Sequence, residues 1–275
     1  MPDSNPSLPA PRVALVGFGE AGETFARAPG WRGETRGWDV LPARRAAMVQ
    51  AGVETGSDAA TALGDRAFLL SLVTADQALA AARDYAPLLP EGALWCDMNS
   101  VAPDTKREAA SAIEQAGGRY VDVAVMAPVE KGMAVPLLIS GPHAIAAQPL
   151  LEALGFSKVR IVGDEVGRAS AIKMIRSVMV KGLEALSSEC AAAAEAGDVF
   201  DEVMASLDAS EKAAPWSEKV AYNRERMARH GARRAAEMEE SAKTLRGLGV
   251  EPVMTRGTVR LQREAAEKHN AKRDA

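Results

Sequence analysis

Several things are scarce in this sequence, and each shortage closes off a class of function. Only two cysteines occur in 275 residues, Cys96 and Cys190, too far apart to suggest a disulfide framework. Three histidines, His143, His230 and His269, stand without cysteine or carboxylate at ligand spacing, so no metal site is expected. Neither sign of charge dominates: 33 basic residues against 37 acidic give a net charge of -4, which offers no field to attract nucleic acid or an anionic membrane. No apolar run approaches the roughly 18 residues of a membrane helix. Residues 1–11 (MPDSNPSLPAP) lack the basic start and apolar stretch of a signal peptide and read as a disordered lead-in. A soluble protein of the reducing cytoplasm is the expectation. The remaining composition, 47% hydrophobic and 25% charged, is ordinary for a globular chain long enough for one or two full cores.

What is present begins at residues 12–28, RVALVGFGEAGETFARA. An apolar run leads into a glycine turn and the opening of a helix. Gly17, Gly19 and Gly22 keep the G-x-G-x-x-G spacing: the first permits the turn, the second admits a pyrophosphate against bare backbone, and the third lets helix and strand pack closely. The helix N-terminus offers N–H donors to phosphate. Phe18, Glu20 and Ala21 complete this cofactor loop. Further strands are expected at 35–39, 67–73, 94–97, 120–125, 136–140 and 159–162, alternating with helices. That alternation predicts an α/β fold, a doubly wound and mostly parallel Rossmann sheet over 12–164. Ligands of such sheets bind beyond the carboxyl ends of the strands, which directs attention to 17–22, 73–76, 98–100 and 125–130. From 165 to 275 no strand alternation occurs, and an all-helical second domain is expected, joined by a long interdomain helix over 167–196. Its other helices are predicted at 199–207, 215–228, 231–248 and 259–269.

Asp39 closes the second strand, about twenty residues after the glycine turn, where a carboxylate can accept both ribose hydroxyls of NAD and repel the 2′-phosphate of NADP. Capping a turn is its other reading. Val40 offers that phosphate no charge, while Arg44 and Arg45 could reach round to it, so NAD is expected and NADP stays open. In IKMIRSVMV, Lys173 shares a helix side with Arg176, Ser177 and Lys181, opposite Ile172, Ile175 and Val178. Hydride transfer at an alcohol carbon needs a partner for the hydroxyl proton, and a lysine beside another cation in a dry cleft can serve; a solvated helix face is the competing reading.

The chain resembles the β-hydroxyacid dehydrogenase superfamily, the group of 3-hydroxyisobutyrate and 6-phosphogluconate dehydrogenases. GFGEAG matches its cofactor loop, DMNSVAP (97–103) its D-x-S-[ST]-x-x-P segment, DVAVMAPVEKG (122–132) its D-x-P-V-S-G-G substrate loop, and GRASAIKMIRS (167–177) its G-x-G-x-x-x-K-x-x-x-N helix. The resemblance implies that Lys173 is the catalytic lysine, that Ser100 supplies a hydroxyl near nicotinamide and substrate beside Asn99, and that Val73 and Thr74 lie over the cofactor. It also has departures. Met126, Ala127 and Pro128 stand where the family grips a substrate carboxylate, Ser177 replaces an asparagine, and the family's later lysine falls near Ala236. VMAPVEKG with KMIRSVMVKGLEAL looks like a less-studied 6-phosphogluconate dehydrogenase-like branch with its own C-terminal helical domain. His230, at helical spacing from Arg233, Arg234 and Glu237, is a candidate substrate contact or part of a solvated face. These readings imply a homodimeric NAD(P)-dependent oxidoreductase for a small hydroxy acid or alcohol. An imine reductase, or a sensor that binds the dinucleotide without turnover, remains the alternative.

Overall fold

A computed structural model of the chain describes residues 12–28, 31, 35–210 and 213–273; the 1–11 segment lies outside them. The elements of the first unit run β1 (Val13–Val16), α1 (Glu20–Ala26), β2 (Thr35–Trp38), α2 (Pro42–Gln50), β3 (Glu54–Thr55), α3 (Ala59–Leu63), β4 (Phe68–Ser71), α4 (Ala78–Tyr85), β5 (Leu94–Asp97), α5 (Pro103–Gln115), β6 (Arg119–Val125), β7 (Leu137–Ser140), α6 (Ala144–Ala153) and β8 (Val159–Gly163). Among the described residues the strands form one eight-stranded sheet in the order β3-β2-β1-β4-β5-β6-β7-β8, parallel throughout except where β7 runs against β6.

The reason these runs become strands is visible in their burial. Every residue of β1, β4, β5 and β7 is buried, as expected of a sheet covered on both faces. Successive side chains alternate between two layers. Val13, Leu15, Leu70, Cys96 and Val123 join the core on one face, with Phe25 and Phe156 in edge-to-face contact at 5.1 Å; Ala14, Val16, Leu69, Trp95 and Tyr120 join the core on the other. Strand order reverses between β1 and β4, so the carboxyl ends of those two strands mark the crevice where such sheets take ligands.

A long helix, α7 (Arg168–Ala196), leaves the sheet, and the division between the two units falls within it, between Arg176 and Ser177. The second unit is helical: the rest of α7, then α8 (Phe200–Ser210), α9 (Trp216–Gly247) and α10 (Val253–Arg273). Two expectations need correction. Helices predicted at 215–228 and 231–248 are one helix, α9, because Gly231 is a packing glycine and not a stop. A Cβ there would lie 2.2 Å from the Gln262 carbonyl oxygen, so α9 and α10 approach through it. The last helix begins at Val253, well before the predicted 259, because the Glu189 carboxylate on α7 caps it, accepting the N–H groups of Met254 and Thr255 and the Thr255 hydroxyl. No helix among the described residues is long and apolar enough to cross a membrane.

Candidate active site

The three turn glycines do different things. Gly17 has φ +89°, and a Cβ there would meet the Leu72 carbonyl oxygen and the Val73 side chain at 2.9 Å, so the turn lies tight against the end of β4. Gly22 packs α1 down on the turn, with the Gly17 carbonyl oxygen 3.0 Å from where its Cβ would be. Gly19 faces open space, with nothing within 4 Å of that position. No side chain caps α1 at Gly19. A backbone stripped of Cβ beside uncapped N–H groups is the cradle a pyrophosphate requires. Phe18 contributes backbone only, since its side chain is buried in the core.

The turn is held from the second strand. Asp39 accepts the Phe18 N–H on Oδ2 at 2.8 Å and the Leu41 N–H on Oδ1 at 2.9 Å, so it caps the turn, and each oxygen keeps a further lone pair for another donor. Above lies a cavity of about 340 Å³ lined by Gly17, Gly19, Asp39, Arg44, Val73 and Thr74, among others. Arg45 does not line it: its guanidinium lies 4.7 Å over the Trp38 ring and donates to the Asp39 carbonyl at 2.7 Å. Arg44 does.

A second cavity, about 380 Å³, shares Leu72 and Val73 with the first and brings together Glu20, Ala21, Asn99, Ser100, Ala127 and Lys173. Here the Lys173 ammonium donates to the Ser100 hydroxyl oxygen at 2.7 Å across 73 residues of chain. Asn99 is buried and donates its amide to Ser71 Oγ at 2.9 Å, while its Oδ1 has no hydrogen-bond partner among the described residues. Asn99 lines the cavity, and a buried amide oxygen without a donor is a group that wants a partner. Met126 does not line this cavity as expected. It extends the β6–β7 pairing through its N–H to Pro136, and its side chain packs with Ala124, Leu138 and Ala169. Ser177, one turn beyond Lys173 on α7, and His230, exposed on α9, belong to the second unit.

Residues 12–163, more than half of the 275-residue chain, match the NAD binding domain of 6-phosphogluconate dehydrogenase. The chain belongs to that family. Residues 194–265 match a domain of unknown function (DUF1932). Among solved structures, a conserved hypothetical protein from Sinorhizobium meliloti 1021 is 36% identical, with a TM-score of 0.62, over 94% of this chain and 89% of its own. A conserved protein of unknown function, MTH1747, described as similar to 3-hydroxyacid dehydrogenases, is 30% identical with a TM-score of 0.62 over 93% of this chain and 97% of its own. The imine reductase of Myxococcus stipitatus, solved with NADP+, has a TM-score of 0.74 at 18% identity over 94% of this chain and 95% of its own, which shows a shared fold; a variant of it was solved with NAD+.

This member of the 6-phosphogluconate dehydrogenase NAD-binding family carries a charged network that the sequence reading missed. Lys106 on α5 is fully buried. Its ammonium donates to the Asp97 carbonyl oxygen at 2.6 Å and to Asp97 Oδ1 at 2.9 Å, and lies 3.5 Å from Asp122 Oδ1. Asp97 Oδ1 also accepts the Asn99 N–H at 2.9 Å, and its Oδ2 accepts the Tyr120 hydroxyl at 2.6 Å. Burial, with the Asp97 charge, holds the Tyr120 phenol well above its usual range, so it remains a donor. Asp122 Oδ2 accepts the N–H groups of Gly167 and Ser170 and the Ser140 hydroxyl, which caps the start of α7. A signal was available: Lys106 stands three, four and seven residues before Ala109, Ala110 and Ile113, on the buried face of its helix. Asp122 interrupts the apolar run of β6.

Proposed function

We propose that this chain is an NAD(P)-dependent oxidoreductase that moves a hydride between the nicotinamide and a small hydroxy acid or alcohol, with Lys173 as its proton-transfer group. The observation that carries the reading is the 2.7 Å hydrogen bond from Lys173 to Ser100, made in a cavity continuous in its lining with the one over the glycine turn. When bound, the nicotinamide supplies the hydride acceptor or donor. The rest is work for the protein's own groups. Gly17, Gly19 and the first turn of α1 would hold the pyrophosphate, Asp39 the ribose, and Val73, Thr74 and Asn99 the rest of the dinucleotide. Ser100 and Lys173 orient the substrate hydroxyl, and a deprotonated Lys173 takes its proton during oxidation or returns it during reduction. Met98, Val125 and Val129 give the cavity apolar walls that thin out water.

NAD is the proposed cofactor, supported by Asp39 at the ribose edge, and Arg44 is the side chain through which NADP would be held. Ala127 is proposed as a further substrate contact. The enzyme is proposed to be cytoplasmic and homodimeric. The dimer rests on the exposed apolar side chains of α7, among them Ile175, Val178 and Leu183, which call for cover from a second copy. Sedimentation at micromolar concentration tests it, and a clean monomer would refute it.

Titration with NADH and NADPH, followed by a screen of hydroxy acids and alcohols with the oxidised dinucleotides and of cyclic imines with the reduced ones, tests the function. Turnover of a hydroxy compound with tighter NADH supports it. Tighter NADPH refutes the cofactor preference, turnover of imines alone makes the chain an imine reductase, and tight binding with no hydride transfer leaves a sensor.

A further inference from the structure

We infer that Lys106 is a positioning residue: its buried ammonium ties together the two segments that carry Ser100 and Lys173 and so sets the distance between them. The inference rests on reading that pair as the reacting one. Lys106 has no accessible surface and cannot touch a substrate. Its ammonium donates to the Asp97 carbonyl and the Asp97 carboxylate, and it forms a buried ion pair with Asp122 Oδ1 at 3.5 Å, an oxygen that has no hydrogen-bond donor among the described residues. Each carboxylate in turn fixes backbone. Asp97 takes the Asn99 N–H, the peptide just before Ser100. Asp122 takes the N–H groups of Gly167 and Ser170, the latter one turn before Lys173 on α7. Asp97 and Asp122 are register partners on neighbouring strands, so without the cation two buried carboxylates would face each other unscreened. One of them would have to pick up a proton or turn toward water, and either change releases the backbone it holds. A misplacement of about 1 Å in a reacting pair can lower a rate by roughly a hundredfold, even when its cause is distant.

The test uses the full chain and three substitutions. Lys106→Met removes the tie, Asp122→Asn removes the charge on the α7 side, and Ile113→Ala is a core control on the same helix, an apolar side chain that makes no hydrogen bond or ion pair with the network. Hydrogen exchange is read at the amides of Asn99, Gly167 and Ser170, and acetic anhydride labelling of Lys173 is measured by peptide mass spectrometry against exposed Lys268. In Lys106→Met all three amides should lose protection together, by roughly tenfold or more relative to β1 and β4. Lys173, half-buried and hydrogen-bonded in the native protein, should then be labelled at a rate approaching that of Lys268. Ile113→Ala should change neither pattern. If Lys106→Met does not fold, Asp122→Asn carries the test, because release of the Asn99 amide on the other segment would report the shared ammonium. Retained protection, release of one segment alone, or release of both with unchanged Lys173 labelling overturns the inference. Turnover that survives Lys173→Met while labelling responds as expected would sink the proton-transfer reading and leave the positioning intact.

Discussion

In the sheet unit the buried side chains include Trp31, Trp95, Tyr120, Phe18, Phe25 and Phe156, whereas those of the helical unit, among the described residues, include no aromatic and comprise Ala194, Ala235, Ala242 and Ala266 with Pro252, Thr255, Val259 and Gln262. Several large apolar residues of the helical unit, Met179, Leu183, Phe200, Leu207 and Leu261 among them, are exposed. The sheet unit is thus specified by volume filled between layers, and the helical unit by how closely backbones approach at small residues. A core of the first kind tolerates little loss of volume. A core of the second kind tolerates little gain.

The comparison can be broken or sharpened by substitution, starting with the largest expected effect. Lys173→Met should lower kcat by about a hundred- to ten-thousandfold, the usual worth of general acid–base assistance, and leave NADH affinity and the unfolding midpoint nearly unchanged. Lys173→Arg should restore little, because a guanidinium keeps its proton. A midpoint that falls with activity would make Lys173 structural. Next, Phe156→Ala in the sheet core should cost about 3–5 kcal/mol by chemical denaturation. A cost like that of a surface site would show that the sheet layers relax around lost volume. Gly231→Ala should cost about 1–3 kcal/mol by forcing α9 from the Gln262 carbonyl. A neutral result would mean that the close approach does not specify the helical unit. The smallest effect is Gly182→Ala on α7, where a Cβ meets nothing within 4 Å, and it should stabilise by roughly 0.5–1 kcal/mol. Loss of stability together with a change in sedimentation would place a second copy against that face.

How much of this was legible follows the same division. The first strand, turn and helix could be read residue by residue because each glycine answers a local steric demand. Leu94–Asp97 was readable as a strand because a short apolar run closed by an aspartate has few other uses in an alternating chain. Strand β3, two residues long and half-exposed, has no pattern to see. The start of α10 was hidden because its cap comes from Glu189, 65 residues earlier. Gly231 looked like punctuation because a sequence does not say which helix faces a glycine. Lys106 was passed over because lysines usually face water, and its two carboxylates arrive from other strands. At the candidate site the loop residues that line a cavity were readable from strand ends, whereas Met126 was not, because its neighbours belong to β7 and α7.

Asp39 ties two histories together. The carboxylate proposed to select the dinucleotide also fastens the Phe18 and Leu41 amides, so any lineage that exchanged it for a small neutral residue to admit a 2′-phosphate would loosen the glycine turn in the same step. On the proposed reading, a substitution that keeps the turn fastened while admitting a 2′-phosphate still accepts a backbone N–H, as asparagine or serine would, and Arg44 lines the same cavity. On that reading, preference and loop order would change together at a single side chain.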